Sequence, residues 1–329
     1  MKVIVNKNIQ NGVSLDAFDY KLLSSIQKNA RFSLSSVSKQ LKKSRTAIEY
    51  RISQFEKNGV IQEYVSIINL KKLGYFSHHI FIESSEYDKI LIERAMKNSS
   101  VNTIITYSGK ISLEISFLAK TPSQCEVIIG DLFKGLPITY SYFTTICSTI
   151  VSRVLPEENL FLPQKSLDFV DYTIDTKDIE LLLELSHNAR GSLFELSSKL
   201  DIPYTTIRRK VDLLRKSGYL IEHRIALNYD ALGYSLQGIL LKVVKRDVIE
   251  KIENFFIHTK GVIWAARCIG SVDYLIYFAS ISFDEFHQFI SQLKSDFGNT
   301  ISMHEIFVAY AEHKYSFFAP VILEDWNKK

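Results

Sequence analysis

The sequence predicts an α+β protein built twice over. Each copy opens with three short helices and closes with a β-α-β-β-α-β run. Three observations carry the prediction. First, "LDAFDYKLLSSIQKNARFSL" from Leu15 is matched by "IDTKDIELLLELSHNARGSL" from Ile174, an offset of 159 residues. Second, apolar residues after each start recur at the three- and four-residue spacing of one helix face. Third, after "LGY" at Leu73 and again at Leu232, the period shortens to the alternation of strands. The period is far longer than a solenoid unit, so the repeated object is a two-domain module.

In the first copy Leu15, Phe18, Leu22, Leu23 and Ile26 mark helix one, with Asp16 and Asp19 in the opening turn, where carboxylates suit the positive helix end. Leu34, Val37 and Leu41 mark helix two, capped by Ser33. Ile48, Ile52 and Phe55 mark helix three. The second copy supplies Leu193, Leu196 and Leu200, then Ile207, Val211 and Leu214. Gly59 and Gly218 stop the third helices. "VIQEYVSIINL" and "YLIEHRIALNY" follow as strands. "HHIFIES", "YDKILIERAMKN", "VNTIITYSG", "ISLEISFLA", "PSQCEVIIGDLF" and "ITYSYFTTICSTIVS" then give the order βαββαβ, which is ferredoxin-like, and the second copy repeats it. The boundaries expected are a tail over 1–14, a winged helix-turn-helix over 15–64, a connecting strand over 65–76, a βαββαβ domain over 77–153 and a linker over 154–172. The second copy takes 173–223, 224–235 and 236–311, and a C-terminal tail takes 312–329.

The net charge is +4, and its distribution is more informative than its size. Residues 15–76 carry eleven basic against five acidic side chains, whereas residues 174–234 carry nine of each. The first head therefore holds the footprint for a polyanion. Cys125, Cys147 and Cys268 are far apart, with no spacing that suggests zinc, and read as small core residues of a reducing compartment. There is no signal-peptide pattern and no apolar run of membrane-spanning length, so the expected location is cytoplasmic, with no membrane partner and no cofactor.

Three short helices with a tight break between the second and third make a helix-turn-helix, whose third helix enters the major groove. With Ile207, Val211 and Leu214 buried, Thr205, Arg208, Arg209 and Asp212 point outward and Lys210 lies nearer the flank. In copy one Thr46, Glu49, Tyr50 and Ser53 point outward. Ser44 caps the helix, Arg45 sits at its start and Arg51 at its flank. The candidate DNA contacts are Ser44, Arg45, Thr46, Glu49, Tyr50, Arg51, Tyr204, Thr205, Arg208, Arg209 and Lys210. Where copy one has the cap Ser44, copy two has Pro203, with Ile202 a poor cap before it.

The stretches "LDAFDYKLLSSIQKNAR" and "LSSVSKQLKKSRTAIEYRISQFEKNGVIQEYVSIINLKKLGY", with the βαββαβ pattern after them, resemble the Lrp/AsnC or feast/famine transcriptional regulators, and the resemblance runs along nearly the whole chain, twice. It implies winged helix-turn-helix heads on double-stranded DNA, joined to ligand-sensing and oligomerising domains. It also implies that this chain is an internal pseudo-dimer, open to further homo-oligomers and to asymmetric targets. The family's effector sites lie near the turn between the two middle strands, marked by a glycine-x-x-aspartate pattern. Copy two keeps that pattern as Gly270-Ser271-Val272-Asp273, while copy one has Gly109-Lys110-Ile111-Ser112. An amino-acid effector is therefore expected around Gly270, Ser271 and Asp273, with Gly109 as the copy-one counterpart.

No nucleophile–base pair, phosphate loop or paired-carboxylate motif stands out, so the chain reads as a non-enzyme. Two alternatives stay open. One is an enzyme resembling Lrp-like tetrapyrrole (siroheme) decarboxylases, with His78, His79, His223, His258, His287, His304, His313 and Arg267 as its available groups. The other is an interaction protein whose helix-turn-helix domains do not touch DNA.

Overall fold

The computed structural model describes residues 4–5, 13–27, 29–83, 86–157 and 170–328. The tail expected over 1–14 and the linker over 154–172 fall largely outside them. The chain runs β1 (Ile4–Val5), α1 (Ala17–Ile26), α2 (Leu34–Leu41), α3 (Arg45–Lys57) and β2 (Ile61–Ile68). It continues with β3 (Phe76–Glu83), α4 (Asp88–Lys97), β4 (Val101–Ser108), β5 (Ile111–Ala119), α5 (Pro122–Phe133) and β6 (Tyr142–Ser152). The order then recurs as α6 (Thr176–His187), α7 (Leu193–Leu200), α8 (Tyr204–Lys216), β7 (Leu220–Leu227), β8 (Ser235–Val243), α9 (Ile249–His258), β9 (Val262–Gly270), β10 (Tyr274–Ser280), α10 (Phe283–Phe297) and β11 (Ile301–Tyr315). A short α11 (Val321–Trp326) follows.

These elements form two compact units that do not follow the order of the copies. One gathers Val13–Tyr75, Gln164–Leu232 and Ser316–Lys329, and so contains the helical heads of both halves. The other gathers Met1–Gly12, Phe76–Pro163 and Gly233–Tyr315, and so contains the strands of both.

In the strand unit the order is β11-β4-β5-β3-β6-β9-β10-β8, and β8 pairs back onto β11, so the sheet closes into a barrel. Each half contributes its strands in the order second, third, first, fourth. The sequence reading has two separate sheets; the structure joins them. The last strand of each half pairs with the second strand of the other, as β6 with β9 and β11 with β4. An open sheet leaves backbone donors and acceptors unpaired at its edges, and closure removes those edges. Helices cover the outside. Leu91, Ala95, Ile128 and Leu132 of α4 and α5 pack on Ile80, Ile104, Ile115 and Phe117. Phe256, Phe289 and Leu293 of α9 and α10 pack on Ile239, Ala265 and Ile276. A third core, with Phe81, Ile146, Leu240, Cys268, Leu275 and Phe307, is drawn from strands all around the closed sheet and fills its interior.

In the head unit, β2 and β7 pair antiparallel across the two copies, Tyr64 opposite Ile225. The heads are joined by this ribbon and by the packing of α6 on β2.

Candidate nucleic-acid interface

The third helices are built alike. Ser44 Oγ accepts the Ala47 amide at 3.2 Å and starts α3, whereas Pro203 precedes α8 with no side-chain cap. Both helices end in the same two hydrogen bonds. Gly59 and Gly218 adopt φ +71° and +75°, and the residue after each reaches back to Phe55 or Leu214, at 2.8 and 3.0 Å. That is the paired bonding of a glycine-terminated helix. The tight break before each helix is also matched: Lys42 and Asp201 take left-handed φ of 53° and 52°. Ser38 and Ser197 donate across the break to the carbonyls of Lys43 and Ile202, both at 2.6 Å.

These constraints fix which faces are free. Ile48, Ile52, Phe55, Ile207 and Leu214 are buried, and Val211 is half-buried. Arg45, Thr46, Glu49 and Tyr50 are exposed on α3, and Tyr204, Thr205, Arg208 and Arg209 on α8. Two expected DNA contacts are corrected. Lys210 is buried, with Nζ 2.7 Å from Asp175 and 3.0 Å from Asp178. Burial alone would lower its pKa, but those two carboxylates outweigh burial and raise it. Arg51, at the same helical position, holds Asp16 at 3.0 Å and Asp19 at 3.1 Å. Each acid pair is the capping box of helix one, so these two cations staple helix three to helix one. The signal was present in the sequence: a repeated aspartate pair with a basic residue at a fixed 35-residue distance. Ser44, although exposed, is engaged as the helix cap.

The two heads hold each other by reciprocal bonds. Ala30 N–H donates to His223 O at 2.9 Å, and Ala189 N–H to Tyr64 O at 2.7 Å. Asn69 N–H donates to Tyr219 O, and Asn228 N–H to Val60 O. Both pairs are related by the 159-residue offset. Symmetry fails at side chains: Arg190 lies over Phe32 and Tyr64, ring centroids 4.1 and 5.0 Å away, while Arg31 donates to Ala189 O at 2.6 Å. His223, the counterpart of Tyr64, lies 2.8 Å from Ser66 Oγ and is held down to about 4 by burial, then by the charges of Arg31 and Arg215.

In the strand unit the expected effector turn is tied to the barrel's own backbone. Gly270 has φ +137°, and a Cβ there would meet Phe143 O at 2.3 Å. Ser271 exchanges two bonds with Phe143, and Asp273 Oδ2 accepts the Val243 amide at 2.8 Å. At the other turn Gly109 has φ +125°, and Lys110 pairs with Glu83 and Glu305. The candidate catalytic groups are dispersed. His78 faces the helix-covered core, stacked with Phe117 and Phe143, where burial and then the neighbouring His79 lower it to about 4. His79 faces the interior, its Nδ1 2.6 Å from Glu114. Glu114 is fully buried and also accepts from Tyr107 and Tyr277, whose pKa values rise through burial and then the Glu114 charge. Arg267 is paired with Glu253 at 2.5 Å. The side chain of His304 lies outside the described residues. Among the described residues no group of three or more His, Cys, Asp or Glu is placed to hold a metal, and no helix is long and apolar enough to cross a membrane.

Residues 15–62 match the winged helix-turn-helix DNA-binding family. The regulator LrpB of Bacillus subtilis is 24% identical over 127 residues, which cover 38% of this chain and 82% of LrpB. An uncharacterised helix-turn-helix transcriptional regulator of Pyrococcus horikoshii is 37% identical over 142 residues, covering 40% of this chain and 95% of that protein. The chain belongs to the Lrp/AsnC family. Along its length this Lrp/AsnC protein is also similar in structure to the siroheme decarboxylase NirDL, with TM-score 0.63 and 11% identity over 94% of this chain and 97% of that one. NirDL has also been solved with an iron-uroporphyrin III analogue. This likeness corrects the reading of the chain as a non-enzyme: an enzyme shares the whole architecture, so an Lrp/AsnC fold does not exclude catalysis.

Proposed function

We propose that this Lrp/AsnC protein is a sequence-specific double-stranded-DNA-binding regulator in which one polypeptide, from a fused pair of ancestral modules, supplies both halves of a dimer. The observation that supports this most is the reciprocal bonding of the two heads, Ala30 to His223 and Ala189 to Tyr64, beside the β2–β7 ribbon. It fixes two third helices, each with an exposed polar face, within one unit. Phosphate attraction comes mainly from the basic first head, and base discrimination from Arg45, Thr46, Glu49, Tyr50, Tyr204, Thr205, Arg208 and Arg209. The effector expected at Gly270, Ser271, Asp273 and Gly109 does not enter the proposal, because Asp273 and Ser271 already bond the barrel backbone.

A gel-shift series on a random-sequence duplex at rising salt tests the reading. Affinity is expected to fall steeply with salt, and Arg45→Ala and Arg208→Ala each to weaken it. A protein with no salt-dependent affinity for any duplex would sink it. Because an enzyme shares the architecture at full length, action on an iron tetrapyrrole is the second reading. Release of carbon dioxide from an added iron tetrapyrrole, with a shifted visible spectrum, would decide for it.

A further inference from the structure

The two exposed faces are not copies of each other. α3 and α8 are both thirteen residues long and start at equivalent places, so their positions correspond one to one. The second residue is threonine in both, Thr46 and Thr205, and is exposed in both. At the fifth residue the charge reverses, from Glu49 to Arg208. At the sixth, Tyr50 stands against Arg209. All four side chains are exposed. The acid nearest the arginines on α8, Asp212, is occupied by Lys216 at 2.8 Å, and neither arginine forms an ion pair among the described residues.

Resting on the regulator reading, we propose that the two heads read chemically different half-sites, so that the operator is directional and the protein binds it in one orientation. A guanidinium fork at the fifth and sixth positions matches the O6 and N7 acceptors of guanine. A carboxylate is acceptor-only, so at the same position Glu49 selects an amino group, as cytosine presents at N4 and adenine at N6. It also repels phosphate, which keeps that side chain over base edges and away from the backbone. Guanine, the best match for Arg208, offers Glu49 no amino group in the major groove, so the two side chains favour different bases. Thr46 and Thr205 make the contact the half-sites share. A homodimer with two identical heads cannot encode such a target, since its symmetry imposes a palindrome. A single chain escapes that constraint.

In vitro selection from a random duplex library tests this with the full-length protein, with Arg208→Ala/Arg209→Ala, and with Glu49→Arg/Tyr50→Arg. All four positions are exposed, so the variants keep the fold, which circular dichroism checks. The wild type is expected to enrich non-palindromic sites, guanine in one half and cytosine or adenine at the matching step of the other. The alanine pair loses the guanine preference in that half alone, with affinity down roughly tenfold to a hundredfold. The arginine pair brings guanine into both halves at that step, while the first positions, Arg45 and Tyr204, still differ. Enrichment of perfect palindromes by the wild type, or an unchanged asymmetry with the arginine pair, overturns the proposal. Failure to enrich any duplex overturns the regulator reading beneath it, which is a different result.

Discussion

At the scale of single residues, a cation's role here follows its partners more than its place on a helical wheel. Lys210 sits one position beyond two exposed arginines, yet it is buried against Asp175 and Asp178. Asp178 has no exposed surface, so removing the ammonium leaves a buried charge uncompensated. Lys210→Met is expected to lower unfolding free energy by about 3 kcal/mol, whereas Arg51→Met, where the lost cation is itself half-exposed although Asp19 is buried, costs less, about 1 kcal/mol. Urea unfolding of both variants checks the order, and equal losses would contradict it. The histidines give a second prediction. His78 and His223 are held near 4 in the folded protein against about 6.5 when unfolded, so between those values the unfolded chain binds more protons. Stability is full above pH 6.5, falls as pH drops toward 4, and changes no further from this source below that. The slope is at most about 1.4 kcal/mol per pH unit for each histidine. Denaturation midpoints at pH 7, 5.5 and 4 measure it, and a flat profile would show that the imidazoles are not held neutral.

At the scale of elements, the two halves of the barrel solve one packing problem differently. Glu114, His79 and Tyr107 form a buried polar group on β5, β3 and β4. The corresponding places in the second half, read from strand register, hold Leu275, Gly238 and Cys268, with Phe307 lying against Gly238. The barrel therefore does not require a buried acid for closure. Once present, the acid must keep its donors, since a buried hydroxyl or imidazole without a partner costs more than the bond was worth. Glu114→Leu alone is expected to destabilise by about 3 kcal/mol, and adding Tyr107→Phe and Tyr277→Phe recovers part of that loss. Thermal unfolding of the single and triple variants checks it; no recovery would mean that the loss is one of shape and not of unpaired hydroxyls.

At the scale of the whole molecule, the strands of the two halves pair with each other within one chain. β6–β9 and β11–β4 in the strand unit, and β2–β7 in the head unit, all cross between the halves. An interface within one polypeptide does not dissociate on dilution, whereas that of an obligate homodimer does. The unfolding midpoint is expected to stay constant over a hundredfold dilution. A midpoint that falls with concentration would show that stability depends on pairing with a second chain.

The repeat, the caps at Ser33 and Ser44, the glycine stops and the buried stripe of each third helix were legible in the sequence. The repeat shows on comparing the two halves of the chain, and the caps, stops and stripes are set by neighbours within about two turns, where residue type alone constrains the backbone. The exposed faces of α3 and α8 followed from that stripe. Tertiary structure decided the rest. Arg51 and Lys210 moved from the expected interface to a staple because their partners lie 35 residues away. Ser271 and Asp273 became ties to the barrel because Phe143 and Val243 meet them in space. Two expected sheets became one barrel because strand edges seek partners whatever their distance in the chain. Periodicity reports which side of a strand or helix is apolar, but not which distant segment will cover it.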